Sequence, residues 1–332
     1  MKIIALLPVK NEKWILQTTI PQLKKFVDEI IALDGGSGDE SVNMLIRHGV
    51  QVLQQDKSVV NYSSWRQTLL DAGRAAGGTH FVWLDADEAF TTNFLTSGGG
   101  FRKRLAKMLP GEKLSLQWLC LWKSPYTYRD DTSIWSNLYK DFVVCDDGKI
   151  GFGTTMLHEG RTPGPNEINA SGRTKSMWTS VPLIEGGVLH FQFVPFQKFQ
   201  MKQAFQRCRE YSLGNGSARR INNKYAATMD DPAARTMPIP EMWLEGIGDL
   251  ENIQKHDIVN DQNLQRDQYF KSILNYFSEK GISYFEPLQI WHIPELHALF
   301  LQKTGREPKM RTYPAIIIQA NKIKNKILKW IK

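Results

Sequence analysis

Along the first ninety residues, short, mostly apolar runs alternate with longer stretches in which apolar residues return every three or four positions. Residues 3–7, 29–33, 50–53 and 81–84 have the length and composition of buried strands. Between them, residues 12–26 (interrupted by Pro21), 41–48 and 63–76 carry helical spacing. This βαβαβαβ order predicts an α/β fold, a mostly parallel sheet flanked by helices. After Gly98-Gly99-Gly100, residues 101–108 read as a helix, and 113–121 and 138–144 as longer strands of antiparallel type. Residues 160–182 are rich in Gly, Pro, Asn, Ser and Thr and predict a surface loop. A short strand over 187–191 and a helix over 196–211 follow. Residues 213–240 are polar and predict a mobile loop. The remainder reads as helix. Three parts result: an α/β catalytic unit over 1–195, a helical extension over 196–313, and a C-terminal helix over 314–332.

Composition excludes several classes. The chain has 332 residues, 42% hydrophobic and 23% charged, which supports a core and argues against wholesale disorder. Cys120, Cys145 and Cys208 have no paired metal spacing and leave one odd, which suits a reducing compartment such as the cytoplasm. The apolar N-terminus is short and reads as a first strand, not a signal peptide. No apolar stretch is long enough to span a bilayer. The formal net charge is +8, and residues 302–332 hold nine Lys or Arg against one acid, Glu307, so the rest is neutral overall. A basic groove for nucleic acid is thereby excluded. In 314–332, Ile316, Ala320, Ile323, Ile327, Trp330 and Ile331 share one helical face, opposite Lys322, Lys326, Lys329 and Lys332. Such a helix either docks on the protein or lies in an anionic membrane interface. The second reading places the chain as a peripheral protein at the inner face of the cell membrane.

The candidate chemistry begins at Asp85-Ala86-Asp87-Glu88, directly after the fourth apolar run. In a solvated strand-to-helix turn Asp-x-Asp needs no ligand, because Asp is a good N-cap. At the edge of a sheet, three neighbouring carboxylates repel one another and favour a cation. Hard divalent ions such as Mn2+ or Mg2+ take oxygen ligands and share them with phosphates. Three other polar segments fall near predicted strand ends: Pro8-Val9-Lys10-Asn11-Glu12, the stretch from Asp34 to Ser41, and Trp65-Arg66-Gln67. Parallel strands bring such segments to one edge, where ligands bind. Asp34 can accept from a base N–H or a ribose hydroxyl, and Arg66 can pair with Asp85 or a phosphate. Ser37, Gly38 and Asp39 are explained fully by turn and cap duties.

As a set, Pro8-x-x-Asn11-Glu12, Asp34-x-x-Ser37-x-Asp39, Arg66 and Trp83-Leu84-Asp85-Ala86-Asp87-Glu88 resemble family 2 glycosyltransferases of the GT-A fold. Gly35 departs from the pattern, standing where many members carry a second acid. The resemblance implies nucleotide contacts from Pro8, Val9, Asn11, Glu12, Asp34, Arg66 and Asp85. It implies a divalent metal, Mn2+ or Mg2+, on Asp87, with Asp85 reaching ribose or metal through water and Glu88 supporting them. Further on, Leu157-His158-Glu159-Gly160 and Val188-Leu189-His190-Phe191 are similar to segments of bacterial surface-polysaccharide or lipopolysaccharide transferases. There Glu159 is either the base or a turn-capping carboxylate. His190 is either a metal or diphosphate ligand or a core histidine, and His158 reads as a packed histidine orienting its neighbour.

The reaction so implied is inverting transfer from a nucleotide-diphosphate sugar, UDP-linked in the first instance, to a saccharide or lipid-linked acceptor. Should Glu159 not be the base, Asp130, Asp131, Asp146 and Asp147 come next. Two alternatives stand beside it. A sugar nucleotidyltransferase needs a Gly-rich, Arg-bearing loop after the first strand, which 8–12 lacks. A non-catalytic membrane-associated adaptor should scatter basic and aromatic residues through the fold, which is neutral before residue 302.

Overall fold

The computed structural model of the chain describes residues 1–55, 62–96, 99–131, 136, 138–149, 151–152, 161–164, 178–226, 234–255 and 264–309. The chain forms two compact units. One comprises 1–128, 137–194 and 237–259, and the other 129–136, 195–236 and 260–332.

The first unit is built in the order β1 (Ile3–Val9), α1 (Lys13–Leu23), β2 (Glu29–Asp34), α2 (Ser41–Arg47), β3 (Gln51–Gln54), α3 (Tyr62–Ala75) and β4 (His80–Trp83). Then come β5 (Glu88–Phe90), α4 (Thr92–Thr96), α5 (Phe101–Leu105), β6 (Lys113–Cys120), β7 (Thr127–Arg129), β8 (Leu138–Cys145), β9 (Trp178–Ser180) and β10 (Gly187–His190). Among the described residues, nine of these strands form one sheet in the order β3-β2-β1-β4-β8-β6-β10-β5, with β9 on β6.

Strands β1 to β4 pair in parallel, β8 runs against β4 and β6, and β10 is parallel to β6. One antiparallel strand therefore restores the original direction. The C-terminal ends of β1, β2, β3, β4, β6 and β10 all lie at one edge. The sheet is covered on both faces, so β1 is apolar at successive positions without alternation. Ile4 and Leu6 pack with Leu69, Phe81 and Trp83, while Trp14, Ile15, Leu119 and Phe191 belong to a separate cluster. Each such side chain contributes about 1.5–3 kcal/mol through burial.

Three features depart from the sequence expectation. Helix α1 runs through Pro21, which sits in its last turn where little helix follows the lost backbone bond. The strand β5 begins inside the acidic cluster itself. Residues 213–240 are not loop throughout, because α7 (Ala218–Ala226) lies among them. Among its described positions only Ile221 and Asn222 are buried, so its sequence carries little apolar signal.

The second unit packs α6 (Phe196–Ser212), α7, α9 (Leu264–Lys280) and α10 (Pro294–Thr304) around Met201, Ile221, Ile273, Phe285, Trp291 and Phe300. The short α8 (Leu250–Lys255) belongs to the first unit. Among the described residues no helix is long and apolar enough to cross a membrane. Cys120, Cys145 and Cys208 are buried thiols. The C-terminal stretch 314–332 lies outside the described residues.

Candidate active site

The loops after β1 and β2 are stitched together at the sheet edge. Asn11 takes a left-handed backbone, φ 56°, which its short polar side chain tolerates. Its N–H donates to Ser37 Oγ (2.8 Å), and its Oδ1 accepts from the Gly38 N–H (2.7 Å). The Glu12 N–H donates to Ser41 Oγ, and Glu12 Oε2 accepts from the Trp14 indole at 2.7 Å. Asp34 is buried and accepts the Gly36 and Ser37 N–H groups at 3.1 Å, forming its own turn. Val9 lies level with Asp34 across the β1–β2 pair, and Pro8 with Leu33. Ser37 thus holds the first loop; Asp39 accepts from both the Ser41 and Lys13 N–H groups.

The acidic cluster follows β4 and divides into two pairings. Glu88 and Asp85 hold Arg161. The Arg161 guanidinium donates through Nη1 to Glu88 Oε2, and through Nη2 to Glu88 Oε1 (2.8 Å) and Asp85 Oδ2 (3.0 Å). Glu88 also accepts from the Asp85 N–H (2.8 Å) and from the Trp118 indole (2.7 Å). Its side chain is 0% exposed and that of Arg161 8%. Burial pushes the Glu88 carboxyl up and Arg161 pulls it back. All its hydrogen-bond partners are donors, so it stands as a carboxylate. Burial opposes the charge of Asp85 too, yet Arg161 and Arg66 hold it below the usual carboxylate range. Arg66 lies 3.8 Å from Asp85 and donates to the Arg161 carbonyl at 2.6 Å, tying α3 to the Arg161 segment.

Asp87 is paired differently. Strand β5 runs antiparallel to β10, with His190 opposite Glu88, and the Phe191 N–H donates to the Asp87 carbonyl. This register sets Asp87 Oδ2 3.6 Å from His190 Nε2. The His190 ring stacks on Trp118, centroids 4.1 Å apart and planes 20° apart. Its Nδ1 is buried and has no hydrogen-bond partner among the described residues. Stacking, not a hydrogen bond, holds the ring plane.

Arg161, Trp118 and Lys140 escape the sequence reading. Lys140 rests its ammonium 3.4 Å from the Trp118 ring centroid. Burial and the neighbouring Arg161 pull it down to about 8, against the opposing pull of Glu88 and Asp85. A signal existed: Lys140 stands two residues from Phe142 in β8, a charge on the same side as a buried aromatic. Glu159 and His158 lie outside the described residues. Asp146 pairs with Arg74 at 2.7 Å beyond the C-terminal end of β8, at the opposite sheet edge, and Asp147 follows it. Neither can serve as base here. Asp131, in the second unit, is bound to Arg129 at 2.6 Å. Beyond β6, Trp122 is buried against Phe193 and Tyr126 is exposed.

Residues 5–98 match the family model described as "Glycosyl transferase family 2". This stretch, less than a third of the chain, is similar to that family. It holds both stitched loops, Arg66 and the acidic cluster, whereas Arg161, Lys140, Trp118 and His190 lie beyond it. No curated protein matches the chain. Among solved structures, glucosyl-3-phosphoglycerate synthase from Mycobacterium tuberculosis in complex with UDP is 27% identical over 26% of this chain and 34% of its own, with a TM-score of 0.22. The same synthase with Mn2+, UDP-glucose and glycerol 3-phosphate is 20% identical over 36% of this chain and 44% of its own, TM-score 0.25. A structure titled only as a mycobacterial protein is 21% identical over 36% and 41%, TM-score 0.26. The chain thus spans less than half the length of these structures, and likenesses at such scores carry no argument about its chemistry.

Proposed function

We propose that the chain transfers a sugar, with inversion, from a nucleotide-diphosphate donor to a saccharide or lipid-linked hydroxyl, using a divalent cation. The observation that carries this reading is the juxtaposition of Asp87 and His190 at the sheet edge shared with the β1 and β2 loops. Two donor atoms about 2.1 Å from one ion lie between about 3 and 4 Å apart, so 3.6 Å between Asp87 and His190 fits a shared ion. A carboxylate–imidazole set favours Mn2+ over Mg2+. When bound, the ion supplies Lewis-acid neutralisation of the leaving diphosphate.

The chain's own residues do the rest. The loops bearing Pro8, Val9, Asn11, Glu12 and Asp34 hold the nucleoside, with UDP the first candidate. Glu88 and Asp85 fix Arg161, and Arg66 fixes the backbone that carries it. Glu159 stands two residues before Arg161 in the chain and takes the acceptor proton as general base, with His158 beside it as an orienting group. The basic stretch 314–332 brings the enzyme to an anionic membrane from the cytoplasmic side. Lipid-linked intermediates of polysaccharide or lipopolysaccharide assembly would there be in reach. A panel of labelled sugar nucleotides with Mn2+ tests the reading. Transfer of the opposite anomeric configuration is expected, slowed at least about a hundredfold in Glu159→Gln while donor binding persists. Wild-type rates in that variant would move the base elsewhere, and no transfer or hydrolysis from any donor would end the reading.

A further inference from the structure

Lys140 is the charged group near the acidic cluster for which the proposed reaction has no use. It comes from β8, which pairs with β4 as Phe81 with Val144 and Val82 with Val143. Across the other edge of β8 it pairs with Leu116, two residues from Trp118, so Lys140 and Trp118 share a sheet face. Its ammonium sits 3.4 Å from the indole centroid, and the His190 ring 4.1 Å from it. At those distances the two would collide on one side of the ring, so they flank it. Lys140 thus stands one indole thickness from the imidazole facing Asp87.

The nearby carboxylates offer Lys140 little. Both oxygens of Glu88 are taken by Arg161, the Asp85 N–H and Trp118, and Asp85 lies between Arg161 and Arg66. Among the described residues Lys140 forms no ion pair. A partly buried ammonium held by an aromatic face is short of anionic acceptors, and a phosphate oxygen would supply one. We infer that Lys140 contacts the donor's diphosphate directly, as a second positive group on the side of Trp118 away from His190. The inference rests on the proposed nucleotide-sugar chemistry.

The test compares wild type, Lys140→Met and Lys140→Arg by titration calorimetry in Mn2+. The probes are UDP, GDP and dTDP, each beside its own nucleoside. Methionine keeps an apolar chain on Trp118, and thermal melting checks that the fold is intact. Lys140→Met is expected to lose about tenfold or more in affinity for the preferred diphosphate and less than about twofold for the nucleoside, with Lys140→Arg close to wild type. Equal diphosphate affinity in folded Lys140→Met overturns the inference and leaves the donor class standing. Equal losses for nucleoside and diphosphate also overturn it, because they mark a purely structural role. If wild type binds none of the diphosphates, the donor class falls and this inference with it.

Discussion

Glu88 and Asp87 are neighbours in sequence, but they do different work. Glu88 is fully enclosed and neutralises Arg161, whereas Asp87 faces His190. Removing Glu88 would leave a buried guanidinium short of its main partner. Glu88→Ala is therefore expected to lower stability by about 3–5 kcal/mol, read from the urea midpoint. Asp87 is 15% exposed in its side chain, against 0% for Glu88. Asp87→Asn should keep the wild-type midpoint and lose transfer. The acids themselves are legible in the sequence, because three carboxylates closing an apolar run repel one another and call for positive partners. Their division of labour is not legible. Arg161 lies 73 residues beyond Glu88, in a stretch whose composition says only loop. Trp118 and His190 read equally well as core residues until their stacking is seen.

At the scale of elements, the site depends on β5 and β10. Residues 88–90 make a strand too short for periodicity to reveal, yet its pairing with β10 alone brings His190 to Asp87. The edge common to the parallel strands was readable from the βαβ order. The antiparallel β8, which turns the later strands back to that edge, was foreseen as a strand but not as the pivot. Gly186 enters β10 at φ 153°, and a Cβ there would lie 2.2 Å from Phe94 Cβ. Gly186→Ala should cost about 1–3 kcal/mol and reduce activity by shifting His190, measurable as parallel losses in urea midpoint and kcat. In the second unit, Glu286 accepts from both Arg306 Nη atoms and from the Lys309 N–H. Those partners hold its carboxyl down at about 2. The folded value lies below the unfolded one. The stabilisation is thus present above the ordinary glutamate range and is lost as pH falls towards about 2. Melting curves across that window should show Glu286→Gln less stable than wild type at neutral pH and equal to it at the acid end. A constant difference would contradict the ion pair.

For the whole molecule, the first unit carries every described residue of the site, and the second is a helical body with its own core. Its existence was readable from composition after residue 195. The return of 237–259 to the first unit was not, because Trp243 and Ile253 join their cluster by long-range packing that local pattern does not encode. The basic stretch 314–332 remains a proposal about membranes, and its removal should release the protein from anionic vesicles in a flotation assay. Unchanged flotation would assign vesicle binding elsewhere. The central claim concerns one pair of side chains, Asp87 and His190, and the ion they are proposed to share with a diphosphate. Its most direct test is calorimetric titration of UDP into wild type and Asp87→Asn, each in Mn2+ and in chelator. Binding by wild type in Mn2+ that falls about tenfold or more both in chelator and in Asp87→Asn is the predicted result. Equal UDP affinity in all four titrations would contradict it.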